Sequence, residues 1–322
     1  MIKIRILLWG ILAFLSLASA AWADPPPGSG RRLDRYSDTF EEPGWNYNDN
    51  NPKLHNQYHD PGSGWTNAIP DRNAPLGVSV NGKWQEGTVR GHPDIVERTN
   101  TPRRGPSGSR YALRLRTRNS GTPGLTEGTV QQDDLLLSSA TDNLLSNLPL
   151  GNGLSVVTRI YLPKLKKWEK RQGYHMGFRV SVSGHKAGAT PGSQNYWPGI
   201  WFWLKQDEDG NNEHFRLVLR ANNEGQDVMA TEKKYTRTGW WTIGMTFNRD
   251  GSMSYYASPG VDDLTDDDLL VFRQGSQSRV ATYTPYNIMF DDLDFLFFSM
   301  ANIDGQWSTE FIIDDISVYA VE

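Results

Sequence analysis

From Tyr111 onward the chain is written in short runs that alternate apolar and polar residues, the period of a half-buried strand. Tyr111, Leu113 and Leu115 alternate with Arg114 and Arg116, and Leu154, Val156, Thr158, Ile160 and Leu162 repeat the pattern further on. Tyr174 to Val182 alternates again, Gly199 to Lys205 is strongly aromatic, and Asp209-Gly210 turns the chain back into His214 to Ala221. Asn248-Arg-Asp-Gly251 marks a second hairpin, between Trp240–Phe247 and Ser252–Ala257. The acidic stretch Val261 to Leu270 interrupts the series, with Thr265 and Asp268 spaced to cap a short helical turn. Asp294–Met300 and Phe311–Tyr319 close the chain as core strands.

The first third reads differently. A strand is predicted over Tyr36–Glu42, and residues 46–105 form a long irregular excursion rich in Pro, Gly, Asn and Asp. Trp45, Tyr47, Trp65 and Trp84 lie in or beside it, which predicts that it folds down onto the sheets. Thr126 to Leu148 reads as a strand followed by a helical or looped stretch. No long helical period and no repeat of fixed length occurs, so the expected fold is all-β, two antiparallel sheets packed as a sandwich. Residues 36–322 are expected to form one domain, with 24–35 a Pro/Gly-rich linker before it.

Residues 1–23 carry the features of a secretory signal peptide: Lys3 and Arg5, an apolar run from Ile6 to Ala20, and a small-x-small site at Ala21-Trp22-Ala23. That run is too short to be the default spanning helix, and no later segment approaches the ~20 apolar residues of a membrane span. The protein is therefore expected to be secreted or periplasmic. Cysteine is absent, which excludes a disulfide framework and leaves the core, or a metal, to hold the chain. With Lys3 and Arg5 gone, 31 basic residues face 37 acidic ones, and no run of Lys and Arg is present. Nucleic acid is not an expected partner. The 12 tryptophans, 13 tyrosines, 31 glycines and 18 prolines suit strands joined by many turns. Aromatics in such a chain either fill the core or stack on sugars.

The last strand poses an electrostatic problem. In strict alternation Ile312, Asp314, Ile316 and Val318 share one face and Phe311, Ile313, Asp315 and Tyr319 the other, so at least one carboxylate points with apolar neighbours. Protonation, a basic partner, hydrogen-bond donors or a metal would resolve it.

Three segments, Asp38-Thr-Phe-Glu-Glu-Pro-Gly-Trp45, Gly239-Trp-Trp-Thr-Ile-Gly-Met-Thr-Phe247 and Phe311-Ile-Ile-Asp-Asp-Ile-Ser-Val318, resemble the pattern of concanavalin A-like and related carbohydrate-binding jelly rolls, including the MAM-type sandwich. The resemblance implies a jelly roll whose first and last strands pair. It also implies a structural calcium between Glu41 and Asp314, with Glu42 and Asp315 as substitute ligands. Hydrogen bonds to backbone N–H groups or an arginine are the alternative for the aspartates. The chain departs from these modules in its long 46–105 excursion, and from MAM domains in lacking cysteine.

The polar side of the alternation supplies the candidate chemistry. Arg159 and Tyr161, His175 and Arg179, Trp201 and Trp203, and His214, Arg216 and Arg220 fall opposite the apolar positions of their strands. Arginine forks match carboxylates and sulfates, and indoles cover sugar rings. The leading expectation is therefore a glycan-binding face for an anionic polysaccharide, built from Arg159, Arg179, Trp201, Trp203, Arg216 and Arg220. An ordinary solvated face, with arginines crossing to acidic neighbours, is the plain alternative. The enzymatic alternative is a lyase acting by β-elimination on a uronate polymer, for which Tyr161, Tyr174, His175 and His214 supply proton-transfer groups. A non-catalytic envelope protein is the third. The Glu-x-Asp-x-x-Glu strand of laminarinase-type retaining glycosidases does not occur, nor do the nucleophile elbow, His-Glu-x-x-His and phosphate-loop signatures. His55 and His59 have the spacing of a helical metal pair, but the prolines and glycine around them argue against a helix there.

Overall fold

The computed structural model describes residues 25–48, 57–59, 66–68, 78–86, 94–118, 131–137, 148–149, 153–186, 189–190, 194–220, 227–229, 233–248, 253–274, 277–280, 288–303 and 306–321. The expected signal peptide, His55, Trp65 and most of the 119–147 stretch lie outside them. The described residues form strands and three short 3-10 turns, without an α-helix, and none of their helices is long and apolar enough to cross a membrane.

Two antiparallel sheets dominate. Strands are numbered in chain order. Sheet I runs β18 (Met253–Pro259), β17 (Gly239–Phe247), β11 (Leu154–Leu162), β22 (Phe311–Ala320), β8 (Tyr111–Thr117) and β7 (Asp94–Asn100), with β1 (Arg31–Arg32) pairing on the end of β22. Sheet II runs β16 (Asp227–Met229), β15 (Asn212–Arg220), β14 (Gly199–Gln206), β12 (Gly173–Lys186), β21 (Ile288–Asn302), β9 (Gln131–Leu137), β6 (Trp84–Glu86), β5 (Val78–Ser79) and β2 (Tyr47–Asn48), with β10 (Leu148–Pro149) pairing on β21 and β13 (Gln194–Tyr196) on β12, while β19 (Val271–Gln274) and β20 (Gln277–Val280) pair separately. The apolar side of the alternation meets between them. Phe202 of sheet II stands edge-on to Trp241 and stacks on Phe311 of sheet I, and Ile160, Met245, Ile313, Phe178, Leu217 and Phe298 are fully or almost fully buried around them. The fold is the sandwich of two antiparallel sheets that the alternation predicts. Burial of this kind stabilises by roughly 25 cal/mol per Å² of apolar surface.

The N-terminal third departs from expectation in three ways. Residues 25–35 of the expected linker are docked on sheet I. Gly28 donates its N–H to Ser155 Oγ at 3.1 Å, Arg31 and Arg32 pair with Ala320 and Tyr319, and Leu33 donates to the Val318 carbonyl at 2.8 Å. At Gly30 (φ +93°) a Cβ would stand 2.3 Å from the Ala320 carbonyl oxygen, so only glycine allows this approach. Tyr36–Glu42 is not a full strand. Asp38 alone bridges to Ile316, and Phe40 adopts φ +60°, which turns the chain out of the sheet. Last, the 46–105 excursion is not wholly irregular: β2, β5 and β6 extend sheet II, β7 forms the edge of sheet I, and β3 (Gln57–His59) pairs with β4 (Thr66–Ala68).

One residue gathers much of that excursion. The Asp38 carboxylate, 3% exposed, accepts hydrogen bonds from the Phe40 N–H (2.8 Å), the indole N–H groups of Trp45 (3.2 Å) and Trp84 (2.8 Å), and the Asn81 amide (3.1 Å). Four donors satisfy the charge and bring both buried indoles onto Phe40.

Strict alternation fails at polar residues that sit in β-bulges. In β22, Asp315 and Ile316 together oppose Thr158, Asp315 takes φ +47°, and the shift lets Phe311, Ile313, Ile316 and Val318 all face the core. In β12 the extra residue is His175; in β21 it is Asp291 and again Asp294.

Candidate functional site

The outer face of sheet II gathers most of the predicted side chains. Gly177 opposes both Trp201 and Ser299, and Trp201 opposes Val218, so Ser299, Gly177, Trp201 and Val218 lie in one row across β21, β12, β14 and β15. The Trp201 indole lies flat over Gly177, where a Cβ would approach it to 2.7 Å. Tyr174 meets that indole edge-on at 5.3 Å. On its other side the Arg179 guanidinium is 5.5 Å from the Trp201 ring centroid and 4.9 Å from that of Phe297, and it donates to the Trp197 carbonyl at 2.9 Å. Arg179 and Trp201 are thereby buried, each 4% exposed, and form the floor of the face. Tyr174, Trp203, Arg216 and Arg220 are half-exposed above or beside it, and Trp197 is 45% exposed at the rim.

His214 is also on this face, opposite Lys205, and its ring is buried. Burial holds its pKa below the usual histidine range, with the nearby Glu213 opposing and Lys234 and Arg216 adding to the effect. The neutral ring presents one donor and one acceptor. Glu213 Oε2 lies 3.4 Å from Nδ1, but without hydrogen-bond alignment.

Eight buried side-chain nitrogens and oxygens among the described residues lack a hydrogen-bond partner, and five are here: Trp201 Nε1, Arg216 Nε, Ser299 Oγ and both ring nitrogens of His214. Buried polar atoms are ordinarily paired, and an indole N–H and a guanidinium N–H can only donate.

Arg159, Tyr161 and His175 do not share this face. Arg159 and Tyr161 are on β11, in sheet I, because consecutive alternating runs of the sequence belong to different sheets. Arg159 is held by two carboxylates, Asp315 and Asp263, the latter at 2.9 Å, so it has the acidic neighbours of an ordinary structural arginine. Tyr161 packs edge-on to Trp240 at 5.4 Å. The bulge at His175 turns its ring inward, against Trp168. There its Nε2–H donates to the Arg171 carbonyl (3.1 Å) and its Nδ1 accepts from the Thr309 hydroxyl (2.7 Å). Burial, then the Arg171 charge, pushes its pKa down to about 3. A neutral ring with both nitrogens engaged does not relay protons to a substrate.

Glu41 and Asp314 converge on the loop at 109–111. Glu41 Oε1 accepts the backbone N–H groups of Arg110 and Tyr111, both at 2.7 Å, with the Arg110 side chain at 3.4 Å from Oε2. Asp314, fully buried, accepts from the Ser109 hydroxyl (2.7 Å) and the Asp315 N–H (2.7 Å). Burial pushes its pKa up to about 7, against the pull of those two hydrogen bonds. Among the described residues no three His, Asp or Glu side chains are grouped as metal donors. Calcium takes six to eight oxygens, whereas N–H groups and a guanidinium converge on Glu41. The pair does not fit the expected calcium site. Glu42 is no substitute there: its side chain lies 3.9 Å from Lys83 Nζ, and Asp315 is engaged with Arg159 and, at 2.8 Å, Ser317 Oγ.

The alternation did not point to His185, Asp291, Asp292 or Asp294, which occupy the far end of the same outer face. The signal that would have found them is Phe290-Asp-Asp-Leu-Asp-Phe295, too many acids for a core strand of regular period.

No protein-family profile matches the chain, and no curated protein sequence matches it. Among solved structures it is similar to a carbohydrate esterase of the Shiga toxin-encoding bacteriophage phi24B, at 14% identity and a TM-score of 0.43 over 75% of this chain and 92% of that one. It is also similar to the Emp46p carbohydrate recognition domain in its potassium-bound form (12% identity, TM-score 0.34, 74% of this chain and 89% of that one). A third similar structure is alginate lyase A1-II′ of polysaccharide lyase family 7 (10% identity, TM-score 0.32, 69% and 85%).

Proposed function

We propose that the protein is a secreted or periplasmic glycan-binding jelly roll that takes an anionic polysaccharide on the outer face of sheet II. The observation that carries this reading is the gathering of half-exposed Tyr174, Trp203, Arg216 and Arg220 on that one face, over the buried Trp201 and Arg179. Carboxylate or sulfate groups suit the guanidinium forks of Arg216 and Arg220. The half-exposed rings offer stacking surface. Arg179 and Trp201 serve as the floor that holds Trp203 and Tyr174 in place, and Trp203, Arg216 and Arg220 meet the polymer.

Binding is favoured over β-elimination because two of the expected proton-transfer groups are elsewhere: Tyr161 on sheet I and His175 inside the core. Affinity electrophoresis in gels containing alginate, polygalacturonate or chondroitin sulfate tests the reading. Retardation in at least one acidic gel, relieved in Trp203→Ala and Arg216→Ala, is expected. Equal mobility of wild type and both variants in every gel would refute the assignment of this face.

A further inference from the structure

The two bulges of β21 have a common design. At each, the extra residue is an aspartate, and each aspartate meets a polar side chain of the neighbouring β12: Asp291 Oδ2 lies 2.7 Å from His185 Nδ1, and Asp294 Oδ2 accepts from Ser181 Oγ at 3.1 Å. A bulge re-aims a side chain that regular pleating would point elsewhere, and bulges concentrate beside active sites. Here the one at Asp291 brings three groups together. Asp292 opposes Ser183, and His185 is two positions further along the same strand face, which makes His185 and Asp292 diagonal neighbours about 7–8 Å apart at their Cα atoms.

The His185 ring is held from one side only. Its Nδ1–H points at the Asp291 carboxylate, which fixes the tautomer and leaves Nε2 as a lone-pair acceptor. The side chain is 16% exposed, and no second partner of the ring occurs among the described residues. This is the base-and-orienter geometry of general-base catalysis.

We propose that His185 and Asp292 are the base and acid of a hydrolytic site that cleaves a glycosidic bond of the polysaccharide held on the outer face of sheet II, with Asp291 as the positioning residue. The proposal rests on the glycan-binding reading of that face. His185 Nε2 takes a proton from a water molecule as the water oxygen attacks the anomeric carbon. The bond from that carbon to the glycosidic oxygen breaks, its electron pair stays on the oxygen, and the Asp292 carboxyl supplies the proton that completes the leaving hydroxyl. One water is consumed and two chain ends are formed. Proton exchange with solvent restores neutral His185 and protonated Asp292. The environment of Asp292 agrees with the acid role: burial, then the adjacent Asp291 charge, raises its pKa above the ordinary aspartate value.

The test uses the full mature chain with alginate, polygalacturonate, chondroitin sulfate and laminarin, following reducing ends released and, in parallel, retention in affinity gels. Release of reducing ends from a retained polymer is expected. His185→Gln should lower the rate about 100-fold with retention unchanged. Asp291→Asn should lower it less and move the acidic limb of the pH–rate profile, a change that a merely structural residue would not produce. A polymer retained but never cleaved, or cleaved equally by His185→Gln, overturns this site and leaves the binding face standing. No retention and no cleavage would remove both. Cleavage that survives Trp203→Ala without loss of retention would remove the binding face alone.

Discussion

β22 and β21 break their alternation in the same way, with aspartates in bulges, yet the two strands put those charges to opposite uses. In β22 the carboxylates are enclosed: Asp314 by Ser109 and its own strand, Asp315 by Arg159, Arg32 and Ser317. In β21 they lie on an outer face, where Asp291 meets the His185 ring and Asp294 the Ser181 hydroxyl of the neighbouring strand. The difference is one of surroundings and not of residue type. A bulged aspartate between two packed segments is a fastener, and the same residue on an open face can serve chemistry.

The largest expected effect concerns the fastener and needs a second group to be seen. Asp314 has a folded pKa of about 7 against 3.8 for the free side chain, so its stabilising contribution is complete below pH 4 and is lost as pH rises toward 7. His175 is the reverse. With a folded pKa of about 3 against 6.5, its contribution is complete above 6.5 and is lost as pH falls toward 3. Each amounts to something on the order of 4 kcal/mol at 1.36 kcal/mol per unit. Between about pH 4 and 6.5 they oppose one another, and their sum changes little. Urea unfolding across that window should therefore uncover a rise of stability with pH in Asp314→Asn and a fall in His175→Gln. Identical slopes in both variants would show that these groups are not held as described.

Next in size is the arginine that secures Asp315. Arg159→Ala leaves a part-buried carboxylate in a bulge without its main cation, and a loss of about 3 kcal/mol in urea unfolding is expected. Arg216→Ala, on the open face, should change stability by no more than about 0.5 kcal/mol. Similar losses in the two would erase the distinction between fastener and open face.

How much of this was legible beforehand follows from the same bulges. Regular period two locates the core correctly in β11, β14 and β15, because nothing interrupts Leu154 to Leu162 or Gly199 to Lys205 within the core register. It placed His175 on the wrong side and could not see His185 or Asp291, because one extra residue reverses every assignment beyond it. Sheet membership was equally out of reach. Arg159 and Arg179 occupy equivalent positions in their own strands, and only the pairing of β11 with β22 and of β12 with β21 separates them. The Asp38 cluster escaped notice because its donors come from Trp45, Asn81 and Trp84, distant in sequence and inside a stretch with no period of its own.

On the open face, stacking and charge recognition should separate cleanly from folding. Trp203→Ala is expected to weaken retention by an acidic polymer about tenfold, near 1.4 kcal/mol, with little change in unfolding. Arg179→Ala removes a layer from between Trp201 and Phe297, so it should lower both stability and retention. If Arg179→Ala affected retention alone, the floor would have to be reassigned as contact surface.

The smallest expected effect is none at all, and it bears directly on the fastener. Glu41 is satisfied by two backbone N–H groups and faces Arg110, and Asp314 holds one donor on each carboxylate oxygen. A cation placed there would meet positive hydrogens on Glu41 and would compete with the hydrogen bonds that already hold both groups. Melting in metal-free buffer with and without a chelator should give the same Tm, and added calcium should leave it unmoved. A rise in Tm with calcium would require Ser109 to turn from Asp314 and the 109–111 N–H groups to leave Glu41, so the same titration in Ser109→Ala, where that rearrangement is already half made, would show whether a metal can replace the hydroxyl.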